Sequence, residues 1–199
     1  MNNYSYIGMV KDSEKIKLNK IFDATLRLTG NVGIAGLKMS HIAKEASIAT
    51  GSLYINFKNK EELLNALYDK LQGESAPAII KDIAHLPIHV QMYKMWAIAL
   101  DRLVAANNRI IFLEQFVVSP FISEKNKQRN MDFKMYLKNL LDKGKVENNI
   151  KDVDTDMLIT LIIGFLRKYS THIVTEKNSN LTDTLIDESF NLCWNAIKA

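Results

Sequence analysis

Apolar residues recur along most of the chain at the three- and four-residue spacing of amphipathic helices, with little of the alternation typical of strands. Residues 37–64 carry the most informative part of this pattern. A short apolar stripe ends at residues 47–48, and a second begins at Leu53 after the small residues 50–52. Two short helices joined by so brief an interruption predict a helix-turn-helix, whose second helix can enter the major groove of DNA. The first stripe comprises Met39, Ile42, Ala43 and Ala46.

The same periodicity predicts helices on either side of this motif. A first helix is expected to begin at Asp12 or Ser13 and to end before a glycine-rich loop over residues 30–37. After the motif, Asn59 is expected to cap another helix, with Glu62 completing a capping box three positions later. The first helix would supply the apolar support that two short helices lack by themselves.

Helical spacing continues to the end of the sequence. Beyond Pro77, helices are predicted over residues 78–84, 88–107, 108–118, 123–147, 153–177 and 181–198. Together with only three prolines and eight glycines, this pattern predicts an all-α fold. We expect two domains, a helix-turn-helix domain over residues 1–76 and a second helical domain over residues 77–199.

Charge is distributed unevenly between these two expected domains. The formal net charge of the chain is +4. Residues 1–60 contain nine Lys and Arg against four Asp and Glu, whereas the remaining 139 residues contain 17 against 18. Many basic surfaces are merely solvated, but this excess coincides with the helix-turn-helix. That coincidence is what a surface that binds DNA phosphates requires.

A specific motif lies within this region. Its elements are Ile42-Ala43, Ser52-Leu53-Tyr54, Phe57 and Lys60. In residue type and spacing they resemble the N-terminal DNA-binding domain of TetR-type transcriptional regulators, and the likeness covers roughly residues 13–65. That resemblance implies an all-α dimeric regulator with a ligand-binding second domain.

Two positions depart from the TetR pattern. Leu37-Lys38 stands where the family usually has a threonine whose hydroxyl caps the second helix. Ser47 stands where the family usually has glycine in the turn. Because a side chain makes positive φ unfavourable, a strained or altered turn is expected at Ser47.

The resemblance also implies roles for individual side chains. Tyr54 and Lys60 would hold phosphates, and Asn56 would read a base, since its amide can pair bidentately with adenine. Lys44 is a further phosphate candidate. The full set of candidate DNA-binding residues is Met39, Ser40, Lys44, Thr50, Gly51, Ser52, Tyr54, Asn56 and Lys60.

Methionine and aromatic residues are frequent between residues 92 and 136. Ordinary core packing accounts for most such residues, but they also line adaptable apolar pockets. TetR-type proteins are expected to hold a ligand in this part of the chain. The candidate pocket residues are Trp96, Phe112, Phe116 and Met135.

The last two predicted helices are apolar on more than one face, which is typical of helices buried on two sides. Either a monomer places them at the centre of its core, or a second subunit covers the outer face. The resemblance favours a homodimer. The candidate interface residues are Ile162, Gly164, Phe165, Phe190 and Trp194.

Other kinds of site are disfavoured by the sequence. His85 and His89 have the spacing of metal ligands on a helix, but Pro87 between them disrupts that geometry. Neither a nucleophile with its base nor a metal cluster is evident, so no enzyme, metal or cofactor is expected. The single cysteine, Cys193, fits a reducing cytoplasm. Neither a signal peptide nor an uninterrupted transmembrane stretch is expected.

These observations predict a cytoplasmic, homodimeric repressor that leaves a pseudo-palindromic operator when it binds a small apolar or amphipathic effector. The alternative is a constitutive DNA-bound adaptor whose second domain binds a protein and no small ligand.

Overall fold

The structure, a computed structural model, describes residues 3–72, 76–104, 107–176 and 180–199. Across these residues the fold is all-α, as predicted, with a single-residue bridge joining Ile150 and Lys198. The chain folds as two compact units. The first contains Met1–Tyr68 and Ile111–Ile122, and the second contains Asp69–Ile110 and Ser123–Ala199.

The helices have the following bounds. In the first part of the chain they are α1 (Asn3–Gly36), α2 (Met39–Glu45), α3 (Thr50–Asn56), α4 (Lys60–Gln72) and α5 (Ala76–Ile83). In the second part they are α6 (Ile88–Val104), α7 (Asn107–Val117), α8 (Glu124–Val146), α9 (Thr155–Glu176) and α10 (Asp183–Ile197).

The first helix corrects two predictions. Helix α1 begins well before Asp12 and continues through the glycines that were expected to form a loop. Only Gly33 leaves the helical region, with φ 68° and ψ 167°. Gly33 therefore kinks the helix, and Ile34 and Leu37 beyond the kink are buried. Their burial offsets the cost of about 1 kcal/mol that a glycine imposes on a helix.

The core of the first unit joins α1 to the short helices and to the start of α4. Phe22 of α1 lies 5.9 Å from Phe57, measured between ring centroids. The ring centroid of Tyr68 in α4 lies 5.0 Å from that of Phe116, which belongs to the 111–122 segment of the same unit. Residues 111–122, from the middle of the chain, therefore complete this core. The predicted domain boundary between residues 76 and 77 does not account for their contribution. The fully buried contributors include Ile21, Ile42, Leu53, Leu63, Leu64 and Leu67.

The second unit is built around α6, which packs against α9 and α10, with α8 packing against α9. Gly144 of α8 marks the tightest approach. A Cβ there would lie 2.5 Å from Ile88 Cδ1 and 2.6 Å from Ile150 Cγ1, so only glycine fits without a shift of its neighbours. Trp96 anchors the same core and donates its indole N–H to Ser189 Oγ at 3.0 Å.

Helix α9 is unusually apolar. By length and composition alone it could cross a membrane, with a mean hydropathy of 1.3 over its best window, yet only 28% of that window is buried within the chain. Helices inside soluble proteins and at subunit interfaces share this composition, so the property is weak evidence for a membrane. It does show that α9 carries apolar surface beyond what the second unit itself covers.

Candidate nucleic-acid interface

The turn between α2 and α3 contains the departure expected at Ser47. This residue has φ 55°, in the left-handed region where glycine is usual. The turn is held by main-chain hydrogen bonds, including Ile48 N–H to Ala43 O at 2.9 Å and Ser47 N–H to Lys44 O at 3.1 Å. The turn therefore keeps the left-handed conformation that suits glycine, so strain and not an altered turn is found, and serine at this position carries a backbone cost of order 1 kcal/mol.

The caps of the neighbouring helices also follow from the sequence, with one change. Lys38 precedes α2 with extended backbone and no side-chain cap, as its lack of a suitable hydroxyl implies. Asn59 caps α4 through Oδ1, which accepts the Glu62 N–H at 2.8 Å. Glu62, however, accepts the N–H of Lys58 at 2.7 Å rather than that of Asn59. The cap is confirmed, and the predicted second half of the capping box is wrong by one residue.

Apart from Ile55, helix α3 presents a polar, uncharged surface to solvent. Its inner residue Leu53 is fully buried, whereas Thr50 and Gly51 are exposed and Ser52 is half-buried. Tyr54 is 49% exposed. A Cβ added at Gly51 would meet nothing within 4 Å, so this face is open to close approach. The face can offer hydroxyl groups to phosphates or base edges without a competing charge of its own.

Lys60 does not occupy the position expected of a free phosphate ligand. Its Nζ lies 3.3 Å from the carbonyl oxygen of Leu37 and 3.4 Å from those of Ile34 and Ala35. It also lies 4.3 Å from the ring centroid of Phe121. A positive charge beside the carbonyl end of a helix is favourable, and so is one over an aromatic face. Lys60 therefore holds the end of α1 in this structure.

Asn56 and Met39 both make contacts within the first unit. The Asn56 amide donates one of its two N–H groups to the Ser52 carbonyl one turn earlier at 2.8 Å, which orients the amide and leaves its second N–H and its oxygen for another partner. Met39 is buried, because it continues the apolar stripe of Ile42 into the core, and it does not reach the surface. Ser40 and Lys44 of the same helix are exposed, as expected of residues that could reach the DNA backbone.

Ile55 was not among the predicted DNA-binding residues. It is 84% exposed on α3, although it is an isoleucine. On α3 the predicted set contained only small and polar residues and so omitted Ile55, whereas its position two residues after buried Leu53 would have placed it on the outer side of the helix.

A small polar hollow of about 240 Å³ lies beside the turn, lined by Lys20, Asp23, Arg27, Glu45, Ala46 and Ser47. Arg27 Nε and Glu45 Oε1 form an exposed ion pair across it at 2.8 Å. Its lining charges are mixed, so it shows no preference for an anion. No group of three His, Cys, Asp or Glu side chains within the described residues could hold a metal ion.

Two family models match this chain. The model described as "Bacterial regulatory proteins, tetR family" matches residues 21–67, which contain α2, α3 and most of the first unit. The model described as "Tetracyclin repressor-like, C-terminal domain" matches residues 74–199, well over half of the chain. The chain belongs to the TetR family. It is therefore a DNA-binding transcriptional regulator, and the alternative of a constitutive adaptor is not favoured.

Two curated relatives agree with this assignment. An uncharacterized HTH-type transcriptional regulator of Haemophilus influenzae is 37% identical over 78 residues, which are 39% of this chain and 42% of that protein. The fatty acid metabolism regulator protein of Bacillus subtilis is 27% identical over 126 residues, which are 63% of this chain and 64% of that protein. The matched parts thus span less than two thirds of either relative.

Solved structures share the fold. A TetR family transcription regulator from Marinobacter aquaeolei VT8 has a TM-score of 0.74 at 22% identity, covering 94% of this chain and 98% of that one. The transcriptional regulator FadR from Bacillus subtilis, in complex with stearoyl-CoA, has a TM-score of 0.64 at 20% identity, covering 89% and 98%. Both matches extend over nearly all of this TetR-family chain.

The four residues predicted to line a TetR-type ligand pocket are divided between the two units. Phe112 and Phe116 belong to the first unit, where they stack at 5.3 Å and are fully buried. They serve its core, next to Tyr68. Trp96 is buried in the second unit, and Met135 is 58% exposed on α8. Sequence alone could not separate them, because core and pocket residues have the same apolar character.

The predicted interface residues divide in a similar way. Ile162 and Phe190 are buried within the second unit, so a partner subunit could not reach them in this conformation. Gly164 is exposed, and Phe165 and Trp194 are half-buried. The exposed apolar residues on these helices are instead Met157, Leu161 and Leu192.

Proposed function

We propose that this TetR-family chain is a cytoplasmic homodimeric repressor that binds a pseudo-palindromic operator through two copies of α3 and leaves it when a long acyl ligand binds the second unit. The observation that carries the DNA-binding part is the outer face of α3. That face is exposed and uncharged, and it is open at Gly51, while Leu53 anchors the helix from behind. Such a helix can approach base edges closely.

Within this proposal, the Tyr54 hydroxyl donates to a phosphate and sets the register of α3 in the groove. The hydroxyls of Thr50 and Ser52 contact base edges or neighbouring phosphates. Ser40 and Lys44 contact the backbone from α2, where both are exposed. Asn56 reads a base with the amide N–H and oxygen that Ser52 does not use, and Lys60 supports α1 rather than the phosphate backbone.

The dimer is proposed to form through α9 and α10. Met157, Leu161 and Gly164 follow one another at four and three residues, so they share one face of α9. Gly164 has no neighbour within 4 Å of a would-be Cβ, which leaves room for a partner helix to approach. Burial of this face in a dimer accounts for the apolar surface that the second unit leaves uncovered on α9.

The proposed effector is a long-chain fatty acid or its coenzyme A thioester. This choice of ligand is supported by the descriptions of two matches from Bacillus subtilis. One is the fatty acid metabolism regulator protein, and the other is the FadR structure in complex with stearoyl-CoA. In this chain the apolar core around Trp96 is the proposed site. Filling that core with an acyl chain would rearrange the second unit and so change how the two α3 helices are presented.

DNA binding is tested by selecting bound sequences from random DNA and then measuring affinity for the selected site against salt. A pseudo-palindrome with half-site centres about 34–36 Å apart, or a multiple of that, is expected. Tyr54→Phe should weaken selected and random DNA alike, by about 1 kcal/mol. Glu114→Ala, an exposed change outside α3, is the matched control. Failure of the folded wild-type protein to enrich any sequence would overturn the proposal.

Ligand binding is tested with stearoyl-CoA, using coenzyme A alone and acetyl-CoA as controls that lack the long chain. Both tryptophans, Trp96 and Trp194, lie in the second unit, so intrinsic fluorescence reports on that unit. In Trp194→Phe the signal comes from Trp96 alone. The long-chain ligand should change this signal, raise the melting temperature and release the operator. No response to any acyl length would remove this part of the proposal.

A further inference from the structure

The outermost line of α3 is formed by two residues without hydrogen-bonding side chains. Successive residues of an α-helix are rotated by about 100°, so Gly51 and Ile55 lie one turn apart on the side opposite Leu53. The burial agrees with this geometry, since Leu53 is fully buried and Ile55 is 84% exposed. Gly51 has open space where its Cβ would be. The polar residues Thr50, Ser52, Tyr54 and Asn56 flank this line on both sides.

The outermost line of a recognition helix is the part that enters the major groove most deeply. At Gly51 the backbone itself can approach the base edges, because no side chain intervenes. Ile55, one turn later, projects into the same groove but can neither donate nor accept a hydrogen bond. The major groove displays one apolar group, the C5-methyl of thymine, and the exposed end of Ile55 matches it.

We infer that Ile55 reads a thymine methyl in each half-site and so sets an A·T preference at one position of the operator. This inference rests on the proposed binding of DNA by α3. Exposure alone would not support it, because single apolar residues are common on protein surfaces. Three observations support it. Ile55 lies on the outer line of α3, and Gly51 beside it leaves open space. Helix α3 also contains no charged residue, so an apolar contact there would not remove a charge from water.

The test is a thymine-to-uracil scan of the selected operator, because uracil keeps the base pair and removes only the methyl group. At one position of each half-site, replacing thymine by uracil should lower the affinity of the wild-type protein about fourfold. This is the effect expected when one buried apolar carbon is removed. Ile55→Ala should bind the thymine operator more weakly and show no further loss with uracil at that position. Ile55→Val should show an intermediate loss.

Val118→Ala is the matched control. Val118 is 83% exposed in the same unit but lies outside α3, so this variant should keep the wild-type uracil profile. The inference is overturned if Ile55→Ala and Ile55→Val keep the full uracil penalty, or if the wild type shows none at any thymine. Either result leaves salt-dependent operator binding intact, and so leaves the proposed function standing. Absence of operator binding by the wild type would instead reject the proposed function.

Discussion

The Gln115 side chain of α7 accepts the main-chain N–H of Ile34 through Oε1 at 2.8 Å, across 81 residues of sequence. This N–H is available because Gly33 interrupts α1 with φ 68° and ψ 167°, a conformation restricted almost to glycine. The same Oε1 would lie 3.2 Å from a Cβ at Gly33. Both residues belong to the first unit, so α7 supports the last turn of α1 immediately before the helix-turn-helix.

Gln115→Ala should therefore lower the free energy of unfolding by about 1–2 kcal/mol, because it leaves a partly buried N–H without its acceptor. Chemical denaturation followed by circular dichroism measures the change. Glu114→Ala, an exposed neighbour on α7, should stay within about 0.5 kcal/mol of wild type. Equal stability of the two variants would show that this hydrogen bond does not contribute.

The variant Lys60→Ala distinguishes two roles of the Lys60 side chain, stabilising the end of α1 and binding a DNA phosphate. Because Lys60 Nζ contacts three carbonyl oxygens and the Phe121 ring, the variant should lose about 1–2 kcal/mol of stability. The slope of log K against log salt for DNA should stay unchanged. A phosphate ligand would instead reduce that slope by about 0.9 per contact. Lys58→Ala, an exposed neighbour, is the control for stability, and a reduced slope in folded Lys60→Ala would contradict the structural role.

Neighbouring residues on α9 offer a direct test of the dimer face. Leu161 is 40% exposed, so Leu161→Asp should fold yet sediment as a monomer at micromolar concentration. Ile162 is buried in the second unit, so Ile162→Asp should lose the folded state, since an unpaired buried charge costs several kcal/mol. Met131→Asp, at an exposed apolar position on α8 outside that face, should remain a folded dimer. A folded dimer of Leu161→Asp would place the interface elsewhere.

Burial raises the pKa of the Cys193 thiol to about 11 from an ordinary value of 9.0. At pH 8 its thiolate fraction should be lower by roughly a hundredfold, so a thiol reagent should label the native protein far more slowly than the unfolded protein. The folded pKa exceeds the unfolded one, so the thiol's contribution to stability is complete below pH 9 and is lost between pH 9 and about 11. Comparison with Cys193→Ala over this range isolates the thiol from other groups. Rapid labelling of native protein would contradict the raised pKa.

Local signals in the sequence determined the helical class, the helix-turn-helix and the TetR family, and the structure and comparisons confirm them. They also determined the Asn59 cap and the unusual turn at Ser47. These features depend on residues within a few positions of one another. Apolar spacing defines a helix face, and capping or positive φ involves one turn of backbone, so no knowledge of distant contacts was needed.

Tertiary structure alone decided which partner each side chain meets. The ammonium of Lys60 is held by the end of α1 and by Phe121, and Phe116 packs beside Tyr68 in the core of the first unit. The apolar residues of α9 divide between Ile162, buried within the chain, and Leu161, left for another surface. Periodicity identifies an apolar face but not what covers it, because that depends on packing between segments far apart in sequence.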